Sequence, residues 1–385
     1  MTRDLAQMGF HSIVELKHGQ SFELAPGFKL TCFHFDIFLD SAVVVECNGT
    51  VLMNANDAKF MGWPLKQILR KYPKIDFVLR SHSSANSRLC YEIMDNPEEQ
   101  VDDQSRYVRD FVAFARATGA TYCVPFASNH CHLHKEVFHF NSLITPPLMV
   151  RDYFESNNVR SPIVKMMVSG DSWSDSEGFR IADNGYFEKR QDRIEEYRGA
   201  QRQTLERYYV KESQATVTLK HMQMYFEKLS KATPFFLRRM LKDQYFTYIA
   251  VAGEKRFIFS VDLYHGKTVE LNDYNDKDNP IQIHTSAFIL RQCIAMNLFS
   301  HLSISKRVKY RVTSEKKRHV KTLNYIFNFY EYDLIPLSRL ISWRYISEML
   351  QRWREGFLYA RIAFDLFTTR KFEMSRYLPP RIAKE

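Results

Sequence analysis

The 385 residues carry 54 Lys and Arg against 44 Asp and Glu, a formal net charge of +10, with 45% hydrophobic and 25% charged residues. Those proportions suit a globular chain long enough for two cores. The first residues form no apolar leader and no 18-residue apolar run occurs, so neither a signal peptide nor a spanning helix is expected. Six scattered cysteines (Cys32, Cys47, Cys90, Cys123, Cys131, Cys293) read as reduced thiols of a cytoplasmic protein and argue against a disulfide framework.

The charge is unevenly placed. Residues 1–180 hold 18 basic against 21 acidic residues, and residues 181–385 hold 36 against 23. A basic back half points to an anionic partner, with a merely solvated basic surface as the plain alternative. Thirty Phe and 21 Tyr favour filled cores or an apolar face meant for a partner.

In chain order, Ile13–Leu16, Phe28–Phe35, Ala42–Cys47 and Thr50–Met53 read as strands, with Asn48-Gly49 as a two-residue hairpin turn. Leu65–Lys71 is helix-like and Phe77–Leu79 a buried strand. Asp103–Thr118 is a helix stopped by Gly119, and Tyr122–Val124 is a strand ending at Pro125. Strands alternating with helices predict an α/β front. Residues 187–213 are densely charged and predict a solvent-exposed bridging helix, with a nucleic-acid-binding helix as the alternative. Beyond them come a helix over His221–Leu229 and a meander of Tyr245–Ala252, Arg256–Leu263 and Thr268–Leu271. An apolar helix over Thr285–Phe299 follows, then a tail that alternates Arg with aromatics from Asn324. The expected segments are 1–180, a charged linker helix 181–213, an α+β unit 214–312 and a basic aromatic helical tail 313–385. The element order of 214–312 weakly resembles a sterol-carrier-protein-like module.

The stretch with the most chemistry runs from Asp40-Ser41 through Asn48-Gly49 to Asn54-Ala55-Asn56-Asp57. Two strands joined by a tight turn deliver a carboxylate at a sheet rim, where it can bridge cations or simply stabilise a turn. His34, between Phe33 and Phe35, should face away from both rings. His130, His132 and His134 would share a face of an extended chain, as metal ligands can. No P-loop, nucleophile elbow or dinucleotide fingerprint is present.

Over residues 9–175 these segments are similar, in order and spacing, to the metallo-β-lactamase-fold superfamily. The likeness is to the branch containing CMP-N-acetylneuraminate hydroxylase and N-acyl-phosphatidylethanolamine phospholipase-D-like hydrolases. It rests on the Asp40–Asp57 run, Asp76-Phe-Val-Leu, Ser83-Ser-Ala-Asn86 and Tyr122-Cys-Val-Pro125-Phe-Ala-Ser128. The resemblance implies an α/β fold (α+β overall): a partial β-sandwich with flanking helices, followed by a C-terminal α+β domain. It implies Asp57 as bridging ligand of a divalent metal (Zn, Fe or Mn). His34 and one of His130, His132 or His134 would complete the set, with Asn54, Asn56, Ser83, Ser84 and Asn86 toward substrate. The substrate would be a nucleotide-sugar, phospholipid or other anionic molecule.

The family's H-x-H-x-D-H signature is missing. Either an N-terminal half is lacking or the fold has been rebuilt without a dinuclear site, and both lead to little or no hydrolysis by this chain alone. A homodimer or partner chain would then complete the fold. The alternative function is a non-catalytic lipid- or anionic-surface-binding protein that meets a membrane surface through Arg344, Arg352 and Arg354. Nucleic acid is a weaker partner, because no reader motif is present.

Overall fold

Along Phe28–Phe35, Phe33 and Phe35 are buried while His34 turns the other way, and this alternation ties the first sheet to its core. The computed structural model describes residues 2–35, 40–83, 87–99, 104–126, 130–182, 185–369 and 372–380. Five strands open the chain: β1 Ser21–Ala25, β2 Phe28–Phe35, β3 Asp40–Cys47, β4 Thr50–Asn56 and β5 Phe77–Arg80. They are followed by β6 Tyr91–Ile93, β7 Tyr122–Pro125, β8 Ile163–Val164 and the hairpin β9 Ser172–Ser174 with β10 Gly178–Arg180. The back of the chain supplies β11 Phe246–Ala252, β12 Lys255–Asp262, β13 Lys267–Leu271, β14 Ile281–Ser286 and β15 Val308–Val312. The chain is thus α/β, as its alternation predicts.

The helices are α1 Thr2–Gln7, α2 Gly62–Lys71, α3 Gln104–Thr118, α4 Pro147–Ser156, α5 Arg190–Ala200, α6 Arg202–Ser213 and α7 Leu219–Ala232. Then come α8 Phe235–Arg239, α9 Ala287–Met296, α10 Ser300–Ile304, α11 Lys317–Glu331, α12 Trp343–Gln351 and α13 Glu355–Thr369. Among the described residues no helix is long and apolar enough to cross a membrane.

The first sheet has the order β1-β2-β3-β4-β5-β7-β8. Its first four strands are an antiparallel meander, and Asn48-Gly49 turns β3 into β4 with both residues at positive φ, the geometry a two-residue turn demands. From β4 to β8 the strands are parallel, so each return needs a crossover, and α2, α3 and α4 lie in those connections. Their apolar faces (Leu65, Ile68, Phe111, Phe114, Val150, Phe154) close over Val44, Met53, Val78 and Cys123.

The second sheet has the order β13-β12-β11-β14-β15-β6 and buries its face under α7, α9 and α11. Two exchanges link the cores. Strand β6, from the front of the chain, pairs in parallel with β15 and carries Tyr91 and Ile93 into the second core. In return Leu358 of α13, with Met374 and Tyr377, packs into the first core. Gly62 sits where Leu358 arrives: its φ is +55°, and a Cβ there would lie 2.9 Å from Leu358 Cδ1.

Three sequence expectations change. Ile13–Leu16 forms no strand, because pairing at that edge begins only at Ser21 and an unpaired strand has no ladder to hold it. The charged stretch is two helices, α5 and α6, and each buries one aliphatic residue, Ile194 and Leu205. Thr285 and Ser286 end β14, and the helix starts at Ala287; an apolar run alone does not mark that switch.

Candidate functional site

The expected metal ligands are placed apart. Asp57 lies exposed in the turn after β4, where Asn56 takes positive φ and donates its N–H to Asn54 Oδ1 at 3.0 Å. Its charge bears on Tyr332, just past α11: burial raises that phenol, and Glu331, Asp40 and Asp57 add to the shift. Asn54 is half-buried on β4, Asn56 is exposed, and Ser83 accepts the Ser81 hydroxyl at its carbonyl. Ser84 and Asn86 lie outside the described residues.

His34 does face away from its phenylalanines, and it meets helix α12. Its Nδ1 is 2.8 Å from Glu348 Oε1, and its backbone N–H donates to His18 Nδ1 at 3.1 Å. A hydrogen bond with the Cys32 thiol raises its pKa, burial opposes this, and Glu348 adds a further rise, to about 9.

The three later histidines do not act together. His130 and His132 lie edge to face with ring centroids 5.4 Å apart, and the charge of His130 bears on the buried His82. Among the described residues both ring nitrogens of His82 lack a hydrogen-bond partner, and burial, helped by His130 and Arg190, lowers it to about 4. His132 is likewise lowered to about 4 by burial and His130. His134 turns away: its Nδ1 is 2.9 Å from Arg307 Nη1, and its ring lies against Tyr209.

Two residues with no sequence signal hold this loop. Buried Asn141 accepts the His132 N–H and donates to the His132 carbonyl, both at 2.8 Å. Arg190 donates to the carbonyls of His130 (3.0 Å) and Asn141 (3.1 Å). Among the described residues no group of three or more His, Cys, Asp or Glu can hold a metal ion. These residues, as placed, do not fit a metal centre, and no chemical step is derived through one.

The arginine surface also changes. Arg352 is buried, with Nε and Nη2 on the two Glu355 oxygens (2.8 and 2.7 Å) and Nη1 3.3 Å from Glu348. It is an internal clamp and presents no charge to a partner. Arg354 is outside, its guanidinium 4.3 Å from the Trp63 ring centre and 5.3 Å from that of Trp353. Arg344 lies on α12, with its side chain outside the described ones.

Helix α12 is seated the wrong way round for a soluble helix. At about 100° per residue, Trp343, Ile346, Met349 and Leu350 fall within about a third of its circumference. All four are exposed, Trp343 at 77%. Glu348, on the opposite side, points inward to His34 and Arg352. Polar contacts therefore hold the helix, and its apolar stripe faces outward. Ile341 precedes the stripe, and Trp353 and Phe357, edge to face at 5.7 Å, continue it into α13.

A cavity of about 690 Å³ opens elsewhere, where the second sheet meets the end of α6 and the segment Lys135–Phe140. Arg307, almost fully buried, is its central post. It bonds Glu212 at 3.0 and 2.8 Å, forms an ion pair with Glu136 and contacts His134.

No family model, curated protein or solved structure matches this chain.

Proposed function

We propose that this protein docks on an anionic membrane surface through its C-terminal helical pair, α12 and α13. The observation that carries the reading is the outward apolar stripe of α12, held in place by the inward Glu348. A soluble helix normally turns such a stripe to the core. An aromatic and aliphatic face beside cations is instead the arrangement that beds into a headgroup layer. Charge supports the occupant: residues 337–385 hold ten Lys and Arg against five Asp and Glu. The metallo-β-lactamase-like hydrolase reading rests on the order of matching segments, and the described residues supply no metal-binding group behind it.

Vesicle sedimentation tests the docking. The full chain should pellet with phosphatidylcholine vesicles containing phosphatidylserine, and far less with pure phosphatidylcholine. The bound fraction should fall as salt rises. Trp343→Ala should weaken binding by about tenfold, as expected when one large apolar side chain is no longer buried. Arg354→Glu should weaken it only on the anionic vesicles. Equal binding to both vesicle types, or none to either, would refute the docking.

A further inference from the structure

Helix α8 sets polar residues inward and apolar residues outward at a second place in the molecule. It is five residues long, opens after Pro234 and joins α7 to β11. Leu237 and Leu241 pack with the second core, and Arg238 turns the same way. Its Nη1 donates to the Tyr264 carbonyl at 3.3 Å and to Ser230 Oγ at 3.4 Å, which holds the helix against α7 and the turn after β12. Phe235 and Phe236 are left outside, 55% and 59% exposed. Met240 and Tyr245, which follow them along the chain, are also more than half exposed. Burial would favour the opposite choice, since a phenyl ring gains and a guanidinium loses on leaving water.

The charge around this apolar group has one sign. Residues 227–243 hold Lys228, Lys231, Arg238, Arg239 and Lys242 against Glu227 and Asp243, three cations in surplus. Lys231 is matched by Glu227. Lys228, Arg239 and Lys242 are exposed and form no ion pair among the described residues. Adjacent exposed phenylalanines flanked by unmatched cations complement a surface that is anionic outside and apolar just beneath, as a headgroup layer over acyl chains is.

We infer that α8 is a second contact with an anionic membrane, in which Phe235, Phe236 and Met240 enter the acyl boundary and Lys228, Arg239 and Lys242 meet the anionic headgroups. It shares the partner proposed for α12 but no residue with the α12 stripe, so either contact can stand without the other.

Hydrogen–deuterium exchange of the full chain, read segment by segment on phosphatidylcholine vesicles containing phosphatidylserine, tests it. Amides of 234–242 should exchange at least about threefold more slowly there than in the free protein, and near the free rate with pure phosphatidylcholine. Replacing both rings, Phe235→Ser with Phe236→Ser, removes exposed side chains outside the core and should lower vesicle affinity by about tenfold or more. Arg239→Glu with Lys242→Glu should do the same on the anionic vesicles alone. Slowed exchange over 234–242 with 343–357 unchanged supports this contact and removes α12 from the docking. The reverse pattern overturns this contact and leaves the α12 reading in place. Wild-type affinity in the folded serine variant would overturn it as well. So would dimerisation without lipid that the serine substitutions abolish, since the patch would then belong to a second copy. No vesicle binding by the wild-type chain overturns both contacts.

Discussion

Replacing Glu348 by Gln should loosen the C-terminal helices in a pH-dependent way. Glu348 stands between His34, 2.8 Å away, and Arg352, 3.3 Å away, with both ion-paired side chains of the His34 contact less than a fifth exposed. Burial raises the Glu348 carboxyl, and His34 and Arg352 more than reverse it, so the net shift is downward. His34, raised to about 9 against an ordinary 6.5, is the group whose titration is read. A raised histidine contributes stability that is fully present below pH 6.5 and is lost as pH rises through about 9. The whole gap corresponds to at most about 3 kcal/mol. Solvent screening and the share owed to Cys32 reduce the Glu348 contribution to about 1–2 kcal/mol. Urea unfolding should therefore show Glu348→Gln less stable than wild type by about that amount at pH 6, with the difference narrowing by about 1 kcal/mol at pH 10. The His34 ring-proton titration should move from near 9 toward 6.5 in the variant. A stability difference that does not change with pH, together with an unmoved midpoint, would refute the reasoning.

Three more outcomes follow from packing and from the seam between the cores. Leu358→Ala should cost about 2–4 kcal/mol and expose residues 337–380 to limited proteolysis, since Leu358 is a buried anchor of α13 on the first core. Gly62→Ala should destabilise by about 1–3 kcal/mol by thermal unfolding, because its φ is +55° and the new Cβ would meet Leu358 at 2.9 Å. Arg307→Met should cost about 2–4 kcal/mol in urea unfolding at neutral pH by leaving Glu212 and Glu136 unmatched.

Local chemistry made much of the scaffold legible in the sequence. Period-two alternation marks Phe28–Phe35, and it also orients His34 away from Phe33 and Phe35. Asn48-Gly49 announces its hairpin because few residue pairs accept two positive φ values in succession. Gly119, at φ +66°, ends α3 for the same backbone reason. The charge asymmetry of the chain is likewise a property of composition alone.

What side chains do to one another across long separations was decided only by the tertiary structure. His34 and Glu348 are 314 residues apart, and no local pattern connects them. Arg352 and Arg354 read alike as tail cations, yet one is enclosed by Glu348 and Glu355 while the other lies over Trp63. His130, His132 and His134 share a face in an idealised extended chain. The folded loop instead turns His134 to Arg307 and leaves the other two edge to face with each other. Alternation and turn preference act over a few residues and can be read directly. Burial, ion pairing and cavity walls depend on which distant elements meet, and that is set by the crossovers of two sheets that exchange β6 for the anchor residues of the tail.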